Sequence, residues 1–438
     1  MTKDFFRTSC SGTLETADLT VSITFELVCS QEGDVSLRID DVPLTAVTLR
    51  LHDVFNDASS ETPRALRLAA SDSTGRLVTS DTVYLTTCGT RTNDAGRWVT
   101  LDAVAVGLVV TASGFDPEAL AAGVRAAYYA IGLRGFGTHE VDTRAGRLGL
   151  LAKHTVENYN EISGRFDIQA FQSAASSIRQ WVEVADEVAL DILDLVSFAE
   201  GRLIRWSVRH LIIDTSVVAM EFRGPSRTGP PRRGFYHWLD IQPVLELAAQ
   251  NYTPELKSST GIDVALEWSL MNPRYLELDF VACVTALEHL SDIYEKKHKK
   301  AAPPGRAYFD STIEPALTVA LQQLLAAASD REAVGAIQKA LGKIRDLTRA
   351  TLQDSIERML SGYGVPFVGL DGVLPELIKL RNSIVHEGVA RKRFQPKLQQ
   401  HVNAIRELLT RIFLTLLRYS GRYYSYLHGE QFISFPPE

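Results

Sequence analysis

Cysteine is scarce in this chain, with four residues in 438, namely Cys10, Cys29, Cys88 and Cys283. No CxxC pair occurs, and so few cysteines in so long a chain exclude a disulfide-stabilised framework. The sequence also lacks the uninterrupted apolar run of about eighteen residues that a membrane-spanning helix needs. The start, MTKDFFRTSC, lacks the apolar core of a signal peptide. Together these absences predict a reduced, cytoplasmic protein with no membrane partner.

Excess positive charge is also missing. The chain has 46 Lys and Arg against 53 Asp and Glu, a formal net charge of −7. This balance excludes a protein that coats nucleic acid through its bulk charge, but it leaves a local basic site open. The histidines are scattered, with no HExxH motif and no paired carboxylates at ligand spacing. We therefore expect no metal site, and we expect no cofactor.

The length and the composition are those of a globular chain with two or three domains. The first part contains runs in which apolar and polar residues alternate, as in residues 19–29 and 44–55. Such alternation, rich in Val, Ile and Thr, is typical of half-buried strands. The sequence therefore predicts a β-rich sandwich or barrel-like module over residues 1–115.

The periodicity changes after residue 115. The segment DPEALAAGVRAAYYAIGL, residues 116–133, has an Asp at its start followed by Pro and Glu, and this pattern predicts a helix. A second helix is expected within residues 171–199, with strand-like runs before and after it. We interpret residues 116–245 as an α+β module. It is either a separate domain or forms one N-terminal sensing domain together with the module of residues 1–115.

The remainder of the chain, residues 246–438, has helical periodicity. In its last long segment Val402, Ile405, Leu409 and Ile412 lie on one apolar stripe. Several segments of this kind predict a helical bundle. The expected fold class is therefore α+β, with a β-rich N-terminal region followed by a C-terminal all-α bundle.

The most informative segment is LPELIKLRNSIVHEGVARKRF, residues 374–394. Gly388 suits a C-terminal cap, so the helix should end near His386. Asn382 and His386 are four residues apart and share one helix face, which the long side chain of Arg381 can reach. Arg can clamp a phosphate and His can move a proton, so the group predicts a phosphate site. A satisfied histidine and a solvated basic helix face are the alternatives that the spacing leaves open.

The charge of the surrounding segment supports a phosphate site. Residues 374–418 contain nine Lys and Arg against three Glu, a net charge of +6. The rest of the chain must then carry −13 to give the total of −7. We therefore expect an exposed basic end on an otherwise acidic protein.

The sequence RNSIVHEG, residues 381–388, resembles the R-x4-H motif of the HEPN superfamily, in particular its Apea-like branch. Residues 279–297 resemble the first helix of that domain, although Asp292 stands where a basic residue is frequent. The β-rich region resembles the N-terminal domain that accompanies it. The resemblance implies a metal-independent endoribonuclease of the antiphage abortive-infection type, acting on RNA such as tRNA. It also implies a homodimer with a composite site, regulated through the N-terminal domain by a phage-derived protein trigger.

Carried over residue by residue, the resemblance implies that Arg381 polarises the scissile phosphate, that His386 is the general acid or base, and that Asn382 orients one of them. The ribose 2′-hydroxyl would then attack as an internal nucleophile, which confines cleavage to RNA. Glu288 is implied as a supporting partner of Arg381. The implied RNA-binding residues are Arg391, Lys392 and Arg393. A non-catalytic HEPN-like scaffold that binds nucleotides or a partner protein is the alternative function.

Overall fold

The computed structural model describes residues 4–16, 19–43, 45, 48, 65–93, 96–134, 138–152, 160–224, 241–271, 273–298, 308–344, 351–427 and 431–437. The chain divides into two compact units, Met1–Thr253 and Pro254–Glu438. The first unit carries a large antiparallel sheet, and the second is mainly helical. This confirms the predicted α+β class and the order of its two parts. The strand predicted at 44–55 lies almost entirely outside the described residues.

Thirteen described strands of the first unit form one antiparallel sheet, in the order β4-β1-β2-β3-β6-β5-β7-β13-β12-β8-β11-β10-β9. The strands are β1 Asp4–Glu15, β2 Thr20–Ser30, β3 Val35–Pro43, β4 Leu66–Asp72, β5 Leu77–Asn93, β6 Gly96–Val106, β7 Leu108–Thr111, β8 Arg125–Ile131, β9 Thr138–Thr143, β10 Gly146–Ala152, β11 Ile162–Gln169, β12 Trp206–Ile213 and β13 Ser216–Phe222. Because β4 pairs with β5 as well as with β1, the first six strands of this order close into a ring.

The ring builds its own hydrophobic core. Along β2 the apolar residues Val21, Ile23, Phe25 and Leu27 are buried, while the polar residues between the first three are exposed. This is the alternation expected of a strand with one face on a core, because successive side chains point to opposite faces. Buried side chains of the other ring strands complete the same cluster. The ring therefore has a core of its own.

Strands from both N-terminal segments, 1–115 and 116–245, belong to this one sheet. The short strand β7 pairs with β5 on one side and with β13 on the other. Two helices accompany the second half of the sheet, α1 Ile178–Glu200 and α2 Gln242–Asn251. Asp186 of α1 accepts hydrogen bonds from the Tyr128 hydroxyl at 2.9 Å and from Arg209 Nη1 at 2.5 Å. These contacts attach α1 to strands β8 and β12.

The helix predicted over residues 116–133 is wrong. Asp116 does accept a hydrogen bond from the backbone N–H of Glu118, at 2.9 Å, but the chain makes only a turn there. Residues 125–131 form β8, which pairs with β11 and β12. Ala127 and Tyr128 point to opposite faces of β8, and both are fully buried. Burial on both faces and pairing on both edges therefore outweigh the local helix-start signal.

The second unit is helical and ends in a short β-hairpin. Its described α-helices are α3 Pro254–Thr260, α4 Ile262–Leu270, α5 Leu276–Lys297, α6 Glu314–Ala327, α7 Arg331–Lys343, α8 Leu352–Tyr363, α9 Val373–Glu387 and α10 Leu398–Leu416. Helix α5 packs against α4, α8, α9 and α10. The hairpin consists of β14 Gly421–Tyr424 and β15 Phe432–Phe435, which the helical pattern did not predict. None of the described helices is long and apolar enough to cross a membrane.

A buried ion pair fixes the hairpin to α10. Arg411 Nε donates to Glu407 Oε1 at 2.8 Å, and neither side chain is more than 1% exposed. Glu407 also accepts from the Tyr423 hydroxyl at 2.7 Å and from the Tyr426 backbone N–H at 2.7 Å. Arg411 Nη1 donates to the Val368 carbonyl at 2.7 Å. The pair therefore joins α10, the loop before α9 and the C-terminal hairpin in one hydrogen-bonded network.

Candidate functional site

Helix α9 carries the motif, and its two ends are set by glycines. Gly372 precedes the helix at φ +69°, and Gly388 follows it at φ +77°, with its N–H bonded to the Ile384 carbonyl at 2.8 Å. A left-handed residue is the common way for a helix to end, and glycine adopts it without steric cost. Buried residues of α9, including Leu377 and Leu380, face the bundle. The opposite face presents Asn382 and His386 to solvent.

Arg381 is held by a carboxylate from a neighbouring helix. Its Nε donates to Oε1 of Glu288 on α5 at 2.9 Å, and both side chains are a little under one-third exposed. Its Nη1 donates to Oδ1 of Asn382 at 3.3 Å. Within the described residues Nη2 makes no hydrogen bond. The contacts orient the guanidinium plane and leave part of its outer edge available to an anion.

Asn382 and His386 are both exposed on α9. They are four residues apart and therefore neighbours on one face, whereas Arg381 and His386 are about 140° apart around the helix. Asn382 links the two: it shares a face with His386, and it accepts a hydrogen bond from Arg381. In the part of the chain that the structure describes, the His386 ring makes no hydrogen bond. Among these residues, therefore, no partner satisfies it.

The three cations after the helix differ in their surroundings. Arg391 Nε donates to Glu387 Oε1 at 2.6 Å, and this hydrogen bond lowers the pKa of Glu387. Lys392 and Arg393 are exposed, and the Arg393 guanidinium lies 4.5 Å from the centre of the Phe394 ring. The charge of Arg391 is therefore compensated locally, while those of Lys392 and Arg393 face solvent.

The expectation of an exposed basic end within residues 374–418 is correct only in part, because two of its nine cations are paired away from solvent. Arg406 pairs with Asp279, and the two side chains are 12% and 8% exposed. Arg411 pairs with Glu407 in the buried network described above. Arg411 is buried and Arg406 is largely buried, and each is paired with a carboxylate, so neither adds much to the exposed positive charge. The exposed positive charge that follows α9 is concentrated in residues 391–397, where Lys397 is also exposed.

Ser383 is a residue that the motif alone did not single out. It is buried, and its Oγ accepts a hydrogen bond from the Arg391 backbone N–H at 3.0 Å. The same hydroxyl donates to the Val389 carbonyl at 3.4 Å. These bonds fold residues 388–391 back onto the end of α9. The signal in the sequence was a polar residue on the apolar stripe, which needs a partner once it is buried.

No family model, curated protein or solved structure matches this chain. The described residues contain no group of three or more His, Cys, Asp and Glu side chains arranged to hold a metal ion. The four cysteines are free thiols, and burial is the main cause that raises the pKa of Cys10 to about 11.

Proposed function

We propose that the helical unit is a HEPN-like, metal-independent endoribonuclease whose site is built on α9 and α5. The observation that supports this most is the exposed ring of His386, which makes no hydrogen bond to any described residue and shares a helix face with Asn382 beside an oriented Arg381. A proton-transfer group, an amide and a phosphate-binding cation are what RNA transesterification requires.

In the proposed reaction the ribose 2′-oxygen attacks the adjacent phosphorus while the bond from phosphorus to the 5′-oxygen breaks. The products are a 2′,3′-cyclic phosphate and a 5′-hydroxyl. Arg381 stabilises the charge that develops on the phosphoryl oxygens, and Asn382 orients the reacting groups. His386 takes the proton from the 2′-hydroxyl or gives one to the leaving oxygen. One histidine performs one of these two proton transfers. In a homodimer, His386 of the second copy would perform the other.

The exposed cations after α9 would bind the RNA backbone. Lys392 and Arg393 come just after residues 388–391, which Ser383 holds against the end of α9. Phosphate contacts of this kind add affinity without sequence preference and weaken as salt rises. The substrate is therefore an RNA recognised through its backbone and its shape, with tRNA as the candidate.

The N-terminal unit would regulate this activity. It forms a compact unit of its own with its own core, as expected of a module that can receive a separate signal. We propose that the protein is a cytoplasmic antiphage abortive-infection effector, and that a phage-derived protein acts on the sheet-bearing unit to release cleavage.

The proposal is tested by incubating the purified chain with total RNA in the presence of EDTA. Wild type is expected to release discrete fragments, and Arg381→Ala and His386→Ala are expected to release none. Arg274→Ala, at an exposed arginine of the same unit, is the control that should cleave as wild type. If wild type fails to cleave even with lysate from phage-infected cells, the chain is a non-catalytic scaffold instead.

Two substitutions separate the positioning of Arg381 by Glu288 from the effect of the Glu288 charge on RNA binding. Glu288→Gln keeps an acceptor for Arg381 Nε but removes a negative charge near the phosphate, so RNA should bind about two- to fivefold more tightly. Glu288→Ala releases Arg381, and we expect cleavage to fall by about tenfold because orientation is lost. Fluorescence anisotropy and single-turnover cleavage measure the two effects.

Glu277→Gln, in the first turn of the same helix, controls for a general change in charge. Equal losses of cleavage in Glu288→Gln and Glu288→Ala would show that Glu288 acts through its charge and not by positioning Arg381.

A further inference from the structure

Helices α6 and α7 form a hairpin that lacks buried residues of its own. Asp330 caps α7 by accepting from two backbone N–H groups, at 3.2 Å each, and no residue of either helix is buried. The hairpin is anchored at its two ends, where Phe309 and Ile344 are 7% and 5% exposed. Between these anchors the helices contact mainly each other. Among the described residues, nothing therefore covers the outer face of the hairpin.

The exposed face of α6 lacks the charged residues that a solvent-facing helix surface normally carries. Residues 315–329, PALTVALQQLLAAAS, contain no charged side chain in fifteen positions. Val319 and Leu324 are 53% and 57% exposed, and Leu317 and Ile313 are 36% and 37% exposed. A surface helix normally carries charged residues on its solvent face, and exposed apolar patches mark interaction surfaces.

The apolar residues are arranged in a pattern that is complementary to itself. Leu317, Ala320, Leu324 and Ala327 follow a spacing of three, four and three, which places them on one stripe of α6. If two copies of α6 pair in an antiparallel way, Leu317 lies opposite Ala327 and Ala320 lies opposite Leu324. Each large side chain then meets a small one on both sides of a two-fold axis, as an isologous interface requires.

The charges around the stripe favour a second copy over a lipid surface. Asp310 and Glu314 lie before the uncharged run and Asp330 follows it, so acidic residues flank the apolar face at both ends. A helix that lies on an anionic membrane carries Lys and Arg on its polar face instead. The stripe itself has no charge, so repulsion between two copies is confined to its ends, where Glu314 of one copy lies opposite Asp330 of the other.

We infer that the α6 stripe is an interface between two copies of this chain, in which two α6–α7 hairpins form a four-helix arrangement. The inference does not rest on ribonuclease activity. A helix of this length spans about 21 Å, so the contact lies at the small end of stable interfaces. We expect a dissociation constant of the order of micromolar.

The test is sedimentation equilibrium of the full chain over concentrations from about 0.1 to about 100 µM. Wild type is expected to dimerise, and Leu317→Glu with Leu324→Glu is expected to stay monomeric with unchanged circular dichroism. The matched control is Leu278→Glu, at a leucine that is 53% exposed outside the hairpin, and it should dimerise as wild type. A crosslink between copies in a variant with Ala320→Cys and Leu324→Cys would verify the antiparallel register.

A monomer throughout that range, or a dimer that the double variant does not weaken, would overturn the inference. Monomeric protein that instead co-sediments with vesicles of phosphatidylcholine and phosphatidylglycerol, through the same leucines, would also overturn it. Sedimentation measures the mass of the protein and not RNA cleavage. The dimer can therefore be disproved without affecting the proposed ribonuclease activity, and the reverse is also true.

Discussion

His386→Ala is expected to lower the rate of RNA cleavage by about 10²- to 10⁴-fold, because general acid–base catalysis contributes about this much. The substitution removes a ring that is exposed and makes no hydrogen bond within the described residues, so the fold should not change. Arg381 keeps its contact with Glu288, and Lys392 and Arg393 are untouched, so RNA affinity should change little. Single-turnover cleavage and fluorescence anisotropy, measured on one oligonucleotide, separate the two quantities.

His298→Ala is the matched control for this prediction. His298 is exposed and stands at the C-terminal end of α5, as His386 does on α9, with its ring stacked on Tyr294 at 4.3 Å. Its loss should leave the cleavage rate unchanged. Equal cleavage rates for wild type and His386→Ala would show that His386 takes no part in the reaction.

Glu407→Ala is expected to lower the free energy of unfolding of the helical unit by about 3–5 kcal/mol, the cost of leaving one partner of a buried ion pair alone. Arg411 would keep its charge at 1% exposure without a carboxylate. The Tyr423 hydroxyl and the Tyr426 backbone N–H would also lose their acceptor. Urea unfolding measures the change, and the melting temperature should fall by about 10 °C.

Two comparisons isolate the cause of that loss. Glu407→Leu with Arg411→Met removes both charges and fills the space, so it should cost less than Glu407→Ala alone. Glu376→Ala breaks an exposed pair with Lys379 and should leave the free energy of unfolding almost unchanged. If Glu407→Ala costs no more than Glu376→Ala, the buried network does not stabilise the bundle end.

Local features of the site could be predicted from the sequence. The apolar stripe and the C-terminal glycine place the end of α9 within one residue of His386, because helix periodicity and capping depend on near neighbours. The shared face of Asn382 and His386 follows from the same geometry. The contact of Arg381 with Glu288 spans 93 positions, and only the resemblance to a family suggested it.

Features set by tertiary packing could not be predicted in this way. The segment that contains β8 begins with a helix-start signal at Asp116. It forms a strand because it pairs with β11 and β12, which the local sequence does not reveal. Arg406 and Arg411 count as basic residues in the sequence, and only the packing of α10 shows that their charges are buried. The closure of the six-stranded ring likewise depends on a second partner for β4.

The measurement that tests the central proposal most directly is cleavage of paired oligonucleotides in EDTA. One is all RNA, and the other carries a single 2′-deoxy nucleotide on the 5′ side of the cleaved bond. We predict that the first is cut to leave a 2′,3′-cyclic phosphate and a 5′-hydroxyl, and that the second is not cut there, because it lacks the internal nucleophile. Cleavage of the 2′-deoxy substrate at that bond, or products that carry a 5′-phosphate, would contradict the proposal.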